Sequence, residues 1–408
     1  MPTFCTLRHK ACLGSVRIDV AIMLLAGLVR LGAILFWDES FANHPEQDPD
    51  GYVAIARHWW TTGIYSRDGE SPTALRPPGL VMFLVPLVAD SRWQVVGLTA
   101  IHLFAGIGTS LLAMRLSRSL GAEGRSWLAG VVVAIDPLLV GQSALIMSET
   151  VFTFFLTAGL VGSISKSSGA RITFWTGLCW GLAGLTRPIA WPVLGWMTLA
   201  GVLGQSRQRA LGVILLALVP ASFWVIRNEI ALGRPILTTT HGGYTLWLGQ
   251  NPSYFDSVVR PGRIVWPADS FDAWVGENRQ KTAGMSEIEQ DAFYSQEAVK
   301  WMKSQPADAV SSARHHLARF WSLAPARGSV WVQRGVAGFY LVLYFLAVVG
   351  LMRGRSREAY VLVGVVMIFS AVHAFYWSDM RMRAPLSPIL ASLAAMCLTI
   401  APRPSDRA

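Results

Sequence analysis

The chain has 408 residues, of which 52% are hydrophobic and 15% charged, and it carries a net charge of +10. Soluble globular chains hold about a quarter charged residues, so the composition excludes a set of water-soluble domains and points to an all-α polytopic membrane protein. The basic residues fall in short clusters between apolar runs, as the positive-inside rule requires, which speaks against a nucleic-acid-binding surface.

Arg8, Lys10 and Arg17 precede a first apolar run from about Ile18 to Phe36. That run is long for a signal peptide and lacks a small-residue cleavage site, so it reads as a retained spanning helix. Further runs start near Gln94, Trp127, Thr150, Thr173, Ile189, Leu211, Gly335, Glu358 and Pro385. Together they predict a bundle of about ten transmembrane helices, several only about 15 to 18 residues long. Clusters at Arg115/Arg118/Arg125, Lys166/Arg171, Arg207/Arg209, Arg353/Arg355/Arg357 and Arg403/Arg407 would then all be cytoplasmic, with the N-terminus. The acidic loop with Asp38, Glu39, Glu46, Asp48 and Asp50 would lie outside. The expected location is the plasma or inner membrane of the cell.

Three regions follow: residues 1–226, an N-terminal transmembrane module with a first outer loop at 37–92; residues 227–334, an extracytoplasmic loop region; and residues 335–408, the C-terminal helices. In the first loop, Val53, Ala56, Trp59 and Trp60 recur at helical spacing, predicting a surface helix over Tyr52 to Thr62. Pro77 to Ala89 is apolar but too short to span, and is expected as an interfacial or partly inserted outer helix. In the second region, Ser286 to Ser304 reads as a helix with a Ser286/Glu289 capping box and Glu297 near Lys300. Pro306 opens another, ending at Phe320 and Trp321.

Asp48-Pro49-Asp50-Gly51-Tyr52 places two carboxylates just outside the bilayer, where one could take a proton from an acceptor hydroxyl. The rival reading is an aspartate capping the following helix. Arg76, beside Pro77 and Pro78, has the planar fork that suits a phosphate; the alternative is a snorkelling contact with a lipid head group. Glu149 and Arg187 sit at outer turns, Arg381 and Arg383 precede the last run, and Arg30 lies inside the first. Charges at bilayer depth usually face a partner or a water-filled site, and an ion pair between helices is the plain reading for Glu149.

The four cysteines, Cys5, Cys12, Cys179 and Cys397, form neither a disulfide framework nor a metal spacing. His102 and His373 are expected buried and hydrogen-bonded, and His315-His316 on a surface helix. No zinc spacing, phosphate-binding loop, nucleotide fingerprint or serine elbow is present. An activated substrate would therefore come from the membrane.

The order of the outer Asp48 with Tyr52, "ARHWWTTGIYS", "PTALRPPG", "MSET", "GLTRP", "IRN" with "LGRP", "LGQNP" and "DMRMRAPLSP" resembles the bacterial GT-C glycosyltransferases of the protein O-mannosyltransferase and aminoarabinose-transferase superfamily. The resemblance covers about Arg17 to Ala401. It implies a GT-C-like bundle with outer-face surface helices and a modest outer loop region. It also implies an enzyme that moves a sugar from a polyprenyl-phosphate donor to a cell-envelope acceptor, whether lipid, glycan or protein. Asp48 then corresponds to the catalytic base, with Asp50 its rival, and Tyr52 to the tyrosine that follows it. Arg76, Arg187, Arg381 and Arg383 form the candidate phosphate cradle, and Glu149 completes the candidate set. One base opposite a departing phosphate would invert the sugar centre. The resemblance fixes no cofactor beyond the polyprenyl-phosphate-linked sugar as donor substrate, and Asp48 and Asp50 are groups that could hold a divalent metal. Two departures stand out. The glutamate of the aminoarabinose transferases' Phe-Glu-Lys-Pro-like stretch is missing at Leu75-Arg76-Pro77-Pro78, and the large luminal insert of the protein O-mannosyltransferases has no counterpart. The alternative function is a transporter or flippase of an anionic lipid-linked substrate, which would use the same arginines but no base.

Overall fold

A computed structural model describes residues 3–167, 169–204 and 207–398, without the side chains of residues 3–15 and Ser91. Cys5, Cys12, Arg8 and Lys10 as side chains, and Arg403 and Arg407 altogether, lie outside that description. In chain order the helices are α1 (Thr3–Phe36), α2 (Tyr52–Thr62), α3 (Pro78–Leu84), α4 (Ser91–Ser119), α5 (Ser126–Ile135), α6 (Pro137–Gln142), α7 (Glu149–Ile164), α8 (Ala170–Thr186) and α9 (Ala190–Leu203). They continue as α10 (Arg207–Leu232), α11 (Gly242–Gly249), α12 (Pro252–Tyr254), α13 (Ala268–Lys281), α14 (Glu287–Ser304), α15 (Pro306–Phe320), α16 (Val330–Gly354), α17 (Arg357–Phe375) and α18 (Ser387–Met396).

Among the described residues five helices are long and apolar enough to cross a membrane: Val16–Phe36, Arg92–Ser119, Arg207–Leu232, Val330–Gly354 and Arg357–Phe375. They turn large apolar side chains outward, with Phe104 70%, Phe223 71% and Phe345 66% exposed, as a lipid-covered surface requires. The other expected runs are helical but shorter or interrupted. The run at Trp127 breaks between α5 and α6, where Asp136-Pro137 intervenes. The last begins as a 3-10 turn at Met380–Leu386 before α18.

The break at Pro137 explains the buried charge in the first helix. Pro137 has no N–H to give the carbonyl of Val133, and the N–H of Leu138 donates instead to the Asp136 carboxylate, at 2.9 Å. Two carbonyls are left over in an apolar interior. Arg30, 1% exposed, donates to Val133 at 3.1 Å and Ala134 at 3.0 Å. The arginine is the repair of a helix break.

The basic loops gather at one end of the bundle. Arg118 pairs with Asp19 at 3.5 Å. Arg353 donates to the carbonyl of Cys397 at 2.6 Å, Arg357 to that of Ala200 at 2.5 Å and Arg209 to that of Ser165 at 2.7 Å. The acidic first loop and the turns at Glu149 and Arg187 lie at the opposite end, as the contacts below show.

At that end α2 begins and stops between Gly51 and Gly63, both at φ 75°. Its buried side is Tyr52, Val53, Ile55 and Ala56, while Trp60 is exposed. α3 is a short helix that does not span: Leu80, Val81 and Leu84 are wholly buried, the helix packs on the end of α8, and Met82 is 37% exposed. A Cβ on Gly79 would overlap Thr186 Oγ1 and come within 2.7 Å of the Leu185 backbone. Gly79→Ala is therefore expected to cost about 1–3 kcal/mol, which a thermal melt in detergent reads.

α11 to α15 cover the outer end. α14 has the expected capping box, with Ser286 Oγ accepting from Glu289 N and Glu289 returning to Ser286 N at 2.8 Å. The Glu297–Lys300 pair stands at 3.9 Å. An aromatic cluster of Trp247, Phe255, Trp274, Tyr294 and Trp301 holds these helices together. Two histidine expectations fail. His316 is wholly buried, its Nε2 donating to Gly249 O at 3.0 Å and its ring stacked on Tyr254 at 5.1 Å. His373 is half-buried and stacks on Phe320 at 4.9 Å, with no partner for Nδ1. His102 is buried with Nδ1 2.8 Å from Ser143 O, as expected.

Candidate active site

Asp48 to Gly51 form a tight turn in which Gly51 N donates to Asp48 O at 3.1 Å, with Pro49 at the second position. The turn folds Asp48 under the start of α2. One carboxylate oxygen accepts from Tyr52 N at 2.9 Å; the other accepts from Val53 N at 2.7 Å and Ala54 N at 3.1 Å. The capping contacts are therefore real. A carboxylate has about four acceptor positions, so three amides leave one for another donor. Burial pushes the Asp48 carboxyl above its ordinary value, and the three amides oppose that shift.

Asp50 faces the other way along the turn. Arg76 binds it twice, from Nη2 to Oδ1 at 2.7 Å and from Nε to the backbone oxygen at 3.0 Å. Arg76 is held by its own loop, where Tyr65 Oη donates to its carbonyl at 2.8 Å. Its guanidinium lies 5.9 Å from the ring centre of Tyr52. Tyr52 is 4% exposed and its hydroxyl stands 3.3 Å from Ser148 Oγ, next to Glu149. Burial pushes the Tyr52 phenol above its ordinary value.

Glu149 opens α7 and is 1% exposed. Arg187 leaves the end of α8 and meets it at 3.3 Å, with a second η-nitrogen 3.8 Å from Met382 Sδ. Arg187 also lies within electrostatic reach of Asp50 and Asp379. Asp379 caps the 3-10 turn through Arg381 N, at 3.0 Å, and its other oxygen faces Arg381 Nε at 3.5 Å. Residues far apart in sequence thus converge: the first loop, the turns before α7 and after α8, and the segment before α18.

Arg383 does not join them. It is 1% exposed, donates to the carbonyls of Phe320 at 2.9 Å and Ser322 at 2.5 Å, and lies 4.2 Å over the ring of Tyr340. Tyr340 in turn donates to Asp136 at 2.7 Å. Arg383 ties α15 and α16 to the segment before α18 and faces away from Arg381.

Three further groups were not singled out as site residues by sequence. Asp379 is one. Glu287 is another: it accepts from Thr73 Oγ1 at 2.5 Å and Ala74 N at 2.8 Å, and also from Thr240, so it anchors the strand of chain leading to Arg76. The third is Arg227, which donates to Thr73 O at 2.8 Å and Tyr65 O at 3.0 Å and lies over the Tyr65 ring at 5.1 Å. Arg227 edges a groove of about 430 Å³ lined by Trp59, Tyr65, Pro78, Met82, Leu185 and Phe223, among others. The groove is apolar and lies against α10, and two of its lining residues, Pro78 and Leu185, are two positions along the chain from Arg76 and Arg187.

Asp48 accepts three amides, which leaves it one acceptor position, and Asp50 is paired to Arg76. Among the described residues no three His, Cys, Asp or Glu side chains come together as ligands.

No family model matches the sequence. No curated protein matches it significantly. Solved structures do match. The oligosaccharyltransferase of Archaeoglobus fulgidus in its apo form is similar over 93% of this chain and 50% of its own, at 13% identity and a TM-score of 0.52. The oligosaccharyltransferase AglB of the same archaeon, in complex with an inhibitory peptide and a dolichol-phosphate, gives 11% identity, 93% and 50% coverage and a TM-score of 0.51. ArnT from Cupriavidus metallidurans in the apo state gives 15% identity, 95% and 78% coverage and a TM-score of 0.42. The chain spans about half the length of the oligosaccharyltransferases it matches. Its all-α fold is similar to that of the archaeal oligosaccharyltransferase structures.

Proposed function

We propose that the protein transfers a sugar from a polyprenyl-phosphate carrier to a cell-envelope acceptor at the extracytoplasmic end of the bundle. The observation that carries this reading is the convergence of Asp48, Asp50, Tyr52, Arg76, Glu149, Arg187 and Asp379 with Arg381 beside an apolar groove. The groove suits an isoprenoid chain, with the phosphate drawn to Arg187 and Arg76. The oligosaccharyltransferase of the same fold takes up a dolichol-phosphate.

In the reaction, an acceptor hydroxyl gives its proton to the open position on Asp48, and its oxygen bonds to the anomeric carbon. The bond from that carbon to the phosphate oxygen breaks, and the phosphate leaves with the electron pair. The new negative charge is met by Arg187, Arg76 and Arg381, so no acid is needed to protonate the leaving group. Attack opposite the departing phosphate inverts the centre. Asp50 holds Arg76 in place. The enzyme belongs in the plasma or inner membrane with its N-terminus in the cytoplasm, where the basic end of the bundle would face anionic lipid and the inside of the cell.

Purified protein in nanodiscs, given polyprenyl-phosphate sugars and an envelope extract, should release polyprenyl phosphate. Because Asp48 must be unprotonated to act and burial raises its pKa, the rate should fall as pH drops through a value above about 4. A pH–rate profile flat down to pH 4 would remove Asp48 from the role of base.

A further inference from the structure

A second cleft, of about 350 Å³, opens among α11, α13 and α14, away from the apolar groove. Tyr244, Trp274 and Tyr294 form its aromatic walls, and Arg279, Thr282 and Gln290 supply polar edges. The Tyr244 ring lies 5.9 Å from Trp274 and 5.5 Å from Tyr294, the latter edge-on. Trp274 is 3% exposed, yet its Nε1 has no hydrogen-bond partner. A buried indole N–H normally finds one. Among the described residues no carboxylate lines the cleft, and Arg279 at its edge adds a positive charge that opposes a cation.

Flat aromatic faces with hydroxyl, amide and guanidinium groups at their margin match one class of ligand well. A sugar ring presents C–H faces to stack and hydroxyls at its rim to bond. The volume sits at the small end of ligand pockets, which run from roughly 300 to 1,000 Å³, and suits one or two rings.

The cleft is coupled to the active site. Tyr244 stacks on His241 at 5.2 Å. Burial, then the charges of Arg76 and Arg67, push His241 down to about 3, so it stacks as a neutral ring beside those arginines. Gly243 N donates to Asp291 at 2.6 Å, fixing the start of α11 on α14, and Glu287 on the same helix holds the chain that leads to Arg76. A molecule seated on Tyr244 would therefore lie at the margin of the Arg76 site.

We propose that this cleft binds a saccharide, and that the acceptor of the transfer is a glycan docked there by one or two of its sugar rings. The acceptor assignment rests on the transferase reading; saccharide binding does not. Saturation-transfer NMR on the full-length protein in nanodiscs separates the two, with chitobiose, mannobiose, galactobiose and a serine-containing tetrapeptide as probes. At least one disaccharide should show contact. Tyr244→Ala and, independently, Gln290→Ala should weaken it about tenfold. Asp48→Asn should leave it unchanged, whether or not that protein transfers sugar. Both cleft variants should keep the melting transition of the parent, and Gln290→Ala serves alone if Tyr244→Ala does not. Contact with no disaccharide, contact that survives the cleft substitutions, or Tyr244-dependent contact with the peptide alone would each overturn the proposal.

Discussion

Asp48→Asn is expected to abolish sugar transfer while leaving the protein folded. The two halves of that expectation have different physical grounds. Asparagine is as good as aspartate at a helix start, and its one oxygen can take the position between Val53 N and Ala54 N. The amide then turns its NH₂ toward Tyr52 N, losing one capping bond worth about 1 kcal/mol. A transition shifted by a few degrees is the expected cost. The chemical loss is larger. An amide cannot accept the acceptor's proton, and removing a general base costs about 10²–10⁴-fold in rate. Full activity in Asp48→Asn would move the role to Asp50 or remove it from this loop.

The second large effect is at Arg187. Arg187→Met should destabilise the protein by about 3–5 kcal/mol, because it strands Glu149, only 1% exposed, as a buried charge without its cation. The double variant Arg187→Met with Glu149→Gln should recover most of that loss, since no charge is left to strand. Transfer should not recover. If Arg187 serves only to neutralise Glu149, the double variant would regain activity along with stability. If it meets the departing phosphate, the double variant would be stable and inactive. Thermal melts and transfer rates on the three proteins decide between these.

The surface helix over Tyr52 to Thr62 and the capping box at Ser286 and Glu289 were legible because each rests on short-range rules: apolar residues at helical spacing in one, and Ser286 three residues before an acid in the other. The convergence of the first loop with Glu149 and Arg187 was legible only as a shared side of the bilayer, inferred from charge alternation. The fate of Arg381 and Arg383 was not legible. Two arginines two residues apart read as one cradle, but the segment winds as a 3-10 turn, which sets such neighbours about 240° apart. One faces Asp379 and the other goes to the Phe320 carbonyl. Arg227 was hidden for a similar reason: its partners are the carbonyls of Thr73 and Tyr65, and no residue pattern marks a carbonyl in need of a donor. Glu287 was hidden because its partners, the Thr73 and Thr240 hydroxyls and Ala74 N, lie far from it in sequence. The helix break at Pro137 was visible in hindsight from Asp136-Pro137, and it accounts for Arg30 without any role in chemistry.

The central claim is that the outer carboxylates and arginines perform transfer from a lipid-phosphate donor. Mass spectrometry of envelope glycans and lipids tests it most directly, in cells lacking the protein and in the same cells given back either the parent chain or Asp48→Asn. The parent should restore a sugar mass on an envelope component, while Asp48→Asn should not, with the polyprenyl-phosphate sugar accumulating. Unchanged glycan masses in the absence of the protein, with that lipid merely stranded on one leaflet, would instead indicate a transporter and contradict the account.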